Sequence, residues 1–391
     1  MNGPAFSDIE WEMIMSAECA YDAILVLSFG GPEGPDDVIP FLENVLRGKP
    51  VPRERMLEVA EHYYHFGGIS PINQQCRELI AALREELTAH DVKLPVYWGN
   101  RNWTPYLADT LREMHAAGIR RVLTYVTSGF SCYSGCRQYR ENIQDALQQL
   151  ESADLQVHKL RVFYNHPDFI DVVSEHVGEA LREVSSEGES PFVAFTAHSI
   201  PMSMSSTSDY TRQLQESCRL VAEKLGLPDS QYGLVFQSRS GRPQDPWLEP
   251  DILDFITELH ERGGRSLVIS PIGFLSDHME VLFDLDDEAK RRCEELGIRM
   301  SRASTPGHHP QFVSMVRKLI QERLSGGDRE CLGLYPPNHD VCPEDCCPAP
   351  PQRPAAAGRP GAADPGAAGG SAEAVRPAAV RPDSATGDTR S

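Results

Sequence analysis

From residue 21 to about 325, short runs of apolar and β-branched residues alternate with longer amphipathic stretches. That is the pattern of a parallel sheet with helices on its faces. Four early runs read as strands, starting at Tyr21 (YDAILVLSF), Leu94 (LPVYWG), Arg120 (RRVLTYVTS) and Lys159 (KLRVFY). Four later ones start at Pro191 (PFVAFTA), Tyr232 (YGLVFQS), Arg265 (RSLVISPIGF) and Ile298 (IRMSRAS). The two sets end alike: SFGGP against AHSIP, WGNRN against QSRSG, and TSGFSCYSG against SPIGFLSDH. His166-Pro167 with Phe169 returns as His309-Pro310 with Phe312, an offset of about 145 residues.

The pattern predicts an α/β fold of two similar Rossmann-like lobes built by internal duplication. The ligand cleft is expected at the C-terminal ends of the strands. The expected division is an N-terminal extension (1–20), a first lobe (21–180), a second lobe (181–327), a cysteine-rich segment (328–347) and a tail (348–391). The tail is rich in Pro, Ala and Gly, lacks the large apolar residues that could offset ordering entropy, and is expected to be disordered. Gly30-Gly31-Pro32-Glu33-Gly34 follows a strand, but its spacing is not that of a dinucleotide fingerprint and prolines interrupt the turn.

Composition narrows the function. The chain has 391 residues and a formal net charge of −20, which argues against nucleic acid as the main partner. No apolar run is long enough to span a membrane, and the acidic first twenty residues lack a signal-peptide pattern. A cytoplasmic location is expected. The ten cysteines then read as buried thiols, catalytic groups or metal ligands rather than a disulfide framework.

Two polar features break the apolar pattern. His198 closes the strand PFVAFTAH, where this architecture places working residues. In SDHMEVLFDLDDE, an α-helix would set Glu280, Asp284 and Glu288 at i, i+4 and i+8. Like charges one turn apart repel, so such a ridge is better explained by a cation on it; a solvated helix face is the alternative. An imidazole with carboxylates suits a divalent cation such as Fe(II), and equally proton removal near neutral pH.

The segments LSFGGPEGP, HYYHFGGISPIN, PVYWGNRNW, FTAHSIP and PIGFLSDHMEVLFDLD, in this order, resemble the ferrochelatases. The resemblance covers about Tyr21 to Ile320. It implies a porphyrin cleft between the lobes and Fe(II) insertion into protoporphyrin IX or coproporphyrin III, in heme synthesis, with release of two protons. By matching motif, His198 resembles the histidine that binds metal or accepts pyrrole protons, and Glu280 its partner carboxylate. Asp284 and Glu288 resemble an acidic ridge that guides the cation or carries protons away. Arg47, Ser70 and Tyr139 resemble porphyrin-lining residues, with Phe29 where some members have tyrosine.

Some ferrochelatases hold a 2Fe-2S cluster with one internal and three C-terminal cysteines. The resemblance implies Cys136, Cys331, Cys342 and Cys347 here, with Cys132 competing for the internal place and Cys346 for the last. Four thiolates also suit structural zinc. A carrier without turnover and a cobalt or nickel chelatase of related fold are the competing functions. The expected partners are the porphyrin and Fe(II), with at most peripheral membrane contact, in a monomer or homodimer.

Overall fold

The computed structural model describes residues 21–49, 51–150, 154–186, 190–241 and 244–350. The N-terminal extension and nearly all of the Pro/Ala/Gly tail lie outside them. Two four-stranded parallel sheets form the body. The first comprises β1 (Ala23–Ser28), β2 (Val96–Asn100), β3 (Arg121–Val126) and β4 (Gln156–Lys159) in the order β2-β1-β3-β4. The second comprises β5 (Phe192–His198), β6 (Tyr232–Gln237), β7 (Ser266–Ser270) and β8 (Arg299–Arg302) in the order β6-β5-β7-β8. The equivalent order bears out the two-lobed α/β fold. β1 and β7 are buried along their whole length, because helices cover both faces of a parallel sheet and demand continuous apolar runs.

The helices are α1 (Val38–Val45), α2 (Arg53–His65), α3 (Ile72–Ala89), α4 (Leu107–Ala116), α5 (Gln138–Leu150), α6 (Pro167–Val184), α7 (Tyr210–Leu225), α8 (Ile252–Glu261) and α9 (Pro310–Ser325), with shorter turns between them. The repeated His-Pro pairs start α6 and α9. In each, proline stands in the first turn, where its missing N–H costs nothing. The His166 and His309 rings accept the amide hydrogens of Asp168 and Gln311 at 3.2 and 3.3 Å. The duplication therefore extends to the helix caps, and these histidines are structural at that position.

One strand differs from expectation. The run KLRVFY was read as the fourth strand, yet β4 ends at Lys159. β4 is an edge strand with alternating exposure, so it needs no apolar run, whereas residues 160–164 turn inward and are buried. The expected boundary at residue 180 also falls inside α6, which packs on β7 and β8, while α9 returns to pack on α3 of the first lobe. Each lobe thus lends a helix to the other.

The buried turn after β4 holds Arg161, whose guanidinium makes two 2.8 Å bonds to Glu322 of α9 and a third, at 2.9 Å, to the Glu330 carbonyl. The two side chains are 1% and 6% exposed. Removing one partner leaves an uncompensated buried charge. Glu322→Ala is expected to lower the unfolding free energy by about 3–5 kcal/mol in urea denaturation. A change under about 0.5 kcal/mol, the size of an ordinary surface substitution, would show that the pair does not tie the lobes together.

Candidate functional site

β5 ends in His198, and the hydroxyl of Tyr210 donates to the His198 carbonyl at 3.1 Å, fixing the strand end. Nδ1 of the ring donates to the Ser199 carbonyl at 2.5 Å. That bond turns Nε2 toward the Glu280 carboxylate, 3.6 Å away. The close turn that brings the two segments together requires Gly273, since a Cβ there would stand 2.6 Å from the Ala197 Cβ.

Glu280 lies in a single helical turn, Met279–Val281, and the α-helix expected after it is a π-helix over Leu282–Ala289. The ridge of Asp284 and Glu288 therefore rests on a widened turn, a form common at functional sites. Gln237, at the end of β6, donates to the Glu280 carbonyl at 2.9 Å and to Asp284 at 3.3 Å. Ser238, held at a φ of 61° despite its side chain, donates a short hydrogen bond to Asp284. His278 adds a second imidazole, 3.9 Å from Glu280. None of Tyr210, Gln237, Ser238 or His278 stood out in the sequence as a member of this site, because each acts through a neighbour.

Electrostatics separates the acids. Burial disfavours an imidazolium at His198, but Glu280, the Ser199 carbonyl and Asp284 outweigh it and raise the pKa to about 9. Burial disfavours the Glu280 carboxylate too, yet His198 and His278 bring it down to about 2. The two form an ion pair at neutral pH. Asp284 is pushed up to about 7 by burial, against the Ser238 hydrogen bond and with the negative charges of Glu280 and Glu288 adding to the rise. Burial raises Glu288 and Asp251 as well.

The first lobe faces this group. Tyr63 of α2 is close enough to Glu280 for its charge to raise the phenol, after burial itself. His62 stacks on Phe283 of the π-helix with centroids 3.7 Å apart, and the Gln75 side chain accepts the Asp277 amide hydrogen at 2.8 Å. The structure brings Phe29 and Tyr139 together through Arg101, whose guanidinium lies 5.6 and 4.5 Å from their ring centroids. Ser70 packs against Gly31, where a Cβ would come within 2.7 Å of the serine Cβ. Arg47 is exposed and donates to Asn44, which bonds the Asn102 carbonyl beside this group.

In the first lobe, buried Cys136 lies in a π-turn over Tyr133–Arg137 that follows β3. Hydrogen bonds from Cys342 and Cys347, with Lys159 nearby, hold its thiol well below the usual range and raise the other two in turn. Cys346 Sγ lies 3.7 Å from Cys347 Sγ and 3.8 Å from His339 Nε2. Cys132 is turned into its own loop, accepting from the Gly135 amide at 3.2 Å. Cys331 stands apart, close to Tyr164 and next to Leu332, whose amide bonds the Asn165 carbonyl. No contact in the described residues joins it to the other cysteines. The structure thus assembles three of the four expected sulfurs, with Cys346 rather than Cys331 beside them.

Asp284 gives the site a measurable signature. Its proton is held more tightly folded than unfolded, so stability falls as pH rises from the ordinary carboxylate range through about 7. Asp284→Asn removes that cost and is expected to raise the thermal midpoint at pH 8 while leaving it nearly unchanged at pH 4. Equal shifts at both pH values would mean that the carboxylate is not held protonated.

Comparison with known proteins follows the same line. A family model described as ferrochelatase matches residues 21–324. A ferrochelatase of Rhodopirellula baltica is 57% identical over 90% of this chain and all of its own length. A coproporphyrin III ferrochelatase of Streptomyces coelicolor is 50% identical over 86% of this chain and 96% of its own. Among solved structures, SirB from Bacillus subtilis with Fe3+ aligns at a TM-score of 0.47 and 15% identity, covering 77% of this chain and 96% of its own. With the family matched over most of its length and a relative at this identity, the chain belongs to the ferrochelatase family of porphyrin metal chelatases, enzymes of the lyase class.

Proposed function

We propose that this chain inserts Fe(II) into coproporphyrin III, with His198 and Glu280 as the reacting pair. The observation that supports this most is the 3.6 Å approach of His198 Nε2 to Glu280, at the strand end where the two lobes meet. Coproporphyrin is supported by the similarity to the coproporphyrin III ferrochelatase of Streptomyces coelicolor. Arg101 supplies a cation against the Phe29 and Tyr139 rings, and Arg47 an exposed one held by Asn44 near Asn102; both suit a macrocycle with carboxylate arms.

The chemistry follows from the charges. A free-base porphyrin must lose two N–H protons before its nitrogens can hold a metal, so the site must both deliver a cation and accept protons. At rest Glu280 keeps His198 protonated. Fe(II) arriving at Glu280 neutralises the charge that stabilises the imidazolium, and His198 releases its proton to Asp284, whose pKa near 7 suits both uptake and release. Nε2 is then a base facing the macrocycle, and Glu288 and Asp251 continue the path outward. Binding energy of the macrocycle in the cleft offsets the distortion that exposes its nitrogen lone pairs.

A thiolate-bound 2Fe-2S centre is a second part of the proposal. Cys136, Cys342 and Cys347 would hold it, with Cys346 as fourth donor, and Lys159 and Arg137 would balance the thiolate charge. The convergence of three sulfurs, one of them buried, fits such a group; zinc fits the same donors. The centre would fasten the C-terminal strap to the first lobe. Val51, Leu57, Tyr64 and Ile69 are exposed around α2, which supports at most peripheral membrane contact. Among the described residues no helix is long and apolar enough to cross a membrane.

His198→Ala is expected to bind porphyrin as the parent does and to lose about 10²–10⁴ in turnover. Insertion at the parent's rate would remove His198 from the chemistry. In competition between coproporphyrin III and protoporphyrin IX with Fe(II), the former should show the higher kcat/KM, and the reverse order would overturn the substrate assignment alone. Cys136→Ser should abolish visible absorption in porphyrin-free protein and lower its thermal midpoint without changing kcat. Anaerobically purified protein with zinc in place of iron and sulfide would exclude the cluster.

A further inference from the structure

A cavity of about 370 Å³ lies between the C-terminal strap and the first lobe, and neither His198 nor Glu280 lines it. Its polar side is formed by Arg140 of α5, His158 and Lys159 of β4, Arg323 of α9, and Asp340 of the strap, and aliphatic side chains of α5, β4 and the strap complete the lining. The size falls in the lower range of small-molecule sites. Its charge opposes that of the chain: three permanent cations face one carboxylate in a protein of net charge −20.

The two guanidinium groups are poorly partnered. Lys159 Nζ donates to the carbonyl of the next residue, at 3.0 Å, and also lies against the Cys136 sulfur, whereas Arg140 reaches the Pro343 carbonyl at 3.3 Å. Arg323 donates to the Tyr21 hydroxyl at 2.6 Å through one nitrogen, while its Nη1 is buried without a partner. Asp340 bonds Arg329 at 3.3 Å through one oxygen, and its Oδ1 is likewise buried and unpartnered. Buried polar atoms left unsatisfied cost about 1–3 kcal/mol each. Three cations set against one carboxylate on a strongly acidic chain favour a bound anion. The unpartnered Asp340 oxygen asks in addition for a donor.

From this lining we infer a second binding site, for a compact hydroxylated oxyanion with at least two negative charges, which bridges the strap to α5 and β4. Hydrogen phosphate and a hydroxy-tricarboxylate share this chemistry: oxygens for Arg140, Lys159 and Arg323, and an O–H for Asp340. Sulfate has the charge but no O–H at neutral pH. Because Asp340 and Val341 lead directly into Cys342, the ligand holds the strap where Cys342 meets Cys136. The site shares no residue with the reacting pair of His198 and Glu280.

Isothermal titration of the purified full chain with phosphate, citrate or sulfate, at ionic strength fixed with chloride, tests this. Phosphate or citrate is expected to bind one saturable site, the tighter of the two identifying the natural class, with sulfate about tenfold weaker for want of one charge-assisted hydrogen bond. Arg140→Gln and Lys159→Gln should each weaken binding about tenfold, and Arg262→Gln, an exposed change on the second lobe, should not. Saturation should slow hydrogen exchange in residues 338–342. Sulfate binding as tightly as phosphate, or titrations unaltered by both Arg140→Gln and Lys159→Gln, would show an adventitious ion only. Absence of saturable binding by either hydroxylated anion would overturn the site outright.

Discussion

A parallel sheet buried on both faces can place charge only at its strand ends, and that constraint organises the molecule. β1, β5 and β7 have almost no solvent-facing side, so a charged group within them would bear the full desolvation penalty. His198 is tolerated because it stands at the last position of β5, with its carbonyl bonded by Tyr210 and its ring by Ser199 and Glu280. The same constraint applied to the first sheet brings Phe29 and Arg101 to the ends of β1 and β2. Two copies of one unit, set with these ends toward each other, give one wall of aromatic and cationic groups and one of imidazole and carboxylates.

The exchange of helices makes that arrangement rigid. α6 leaves the first lobe to cover β7 and β8, and α9 leaves the second to cover α3. Their cores merge into one apolar cluster that contains residues of both sheets. Arg161 and Glu322 add a directional constraint that apolar packing lacks, because a bidentate pair fixes orientation as well as distance. The price is that neither lobe is complete without the other's helix.

Sequence periodicity shows the central strands well, since burial on both faces leaves an unbroken apolar run with little room for another reading. It misplaces β4, because an edge strand is half-solvated and the apolar run beside it belongs to a buried turn. It also exposes His198 and Glu280, which break an apolar strand and follow one. It does not show the π-helix, whose extra residue per turn leaves the pattern of Glu280, Asp284 and Glu288 compatible with an ordinary helix. Gln237 and Ser238 are silent for a related reason: their roles depend on how β6 ends against the neighbouring segment, not on residue type. Among the cysteines, spacing alone could not separate Cys346 from Cys347, which lie together in the structure, nor show that the chain past Glu330 is held along Asn165, where Cys331 stands apart.

The contrast between Glu280 and Asp284 shows why the ridge has several acids. Glu280 has an exposed side chain beside an imidazole and Asp284 a half-buried one with no such partner, and one is held near 2 and the other near 7. A single imidazolium can compensate one neighbouring carboxylate; the next acid along the helix meets the first one's charge without a cation of its own. One carboxylate is therefore charged at rest and ready for a cation, while the next is near its titration point and ready for a proton. Pairs of acids driven apart by their surroundings divide electrostatic work from proton transfer. In the proposed reaction, the order of Glu280, Asp284 and Glu288 along the helix would give the released proton a direction, outward toward Glu288 and not back toward the macrocycle.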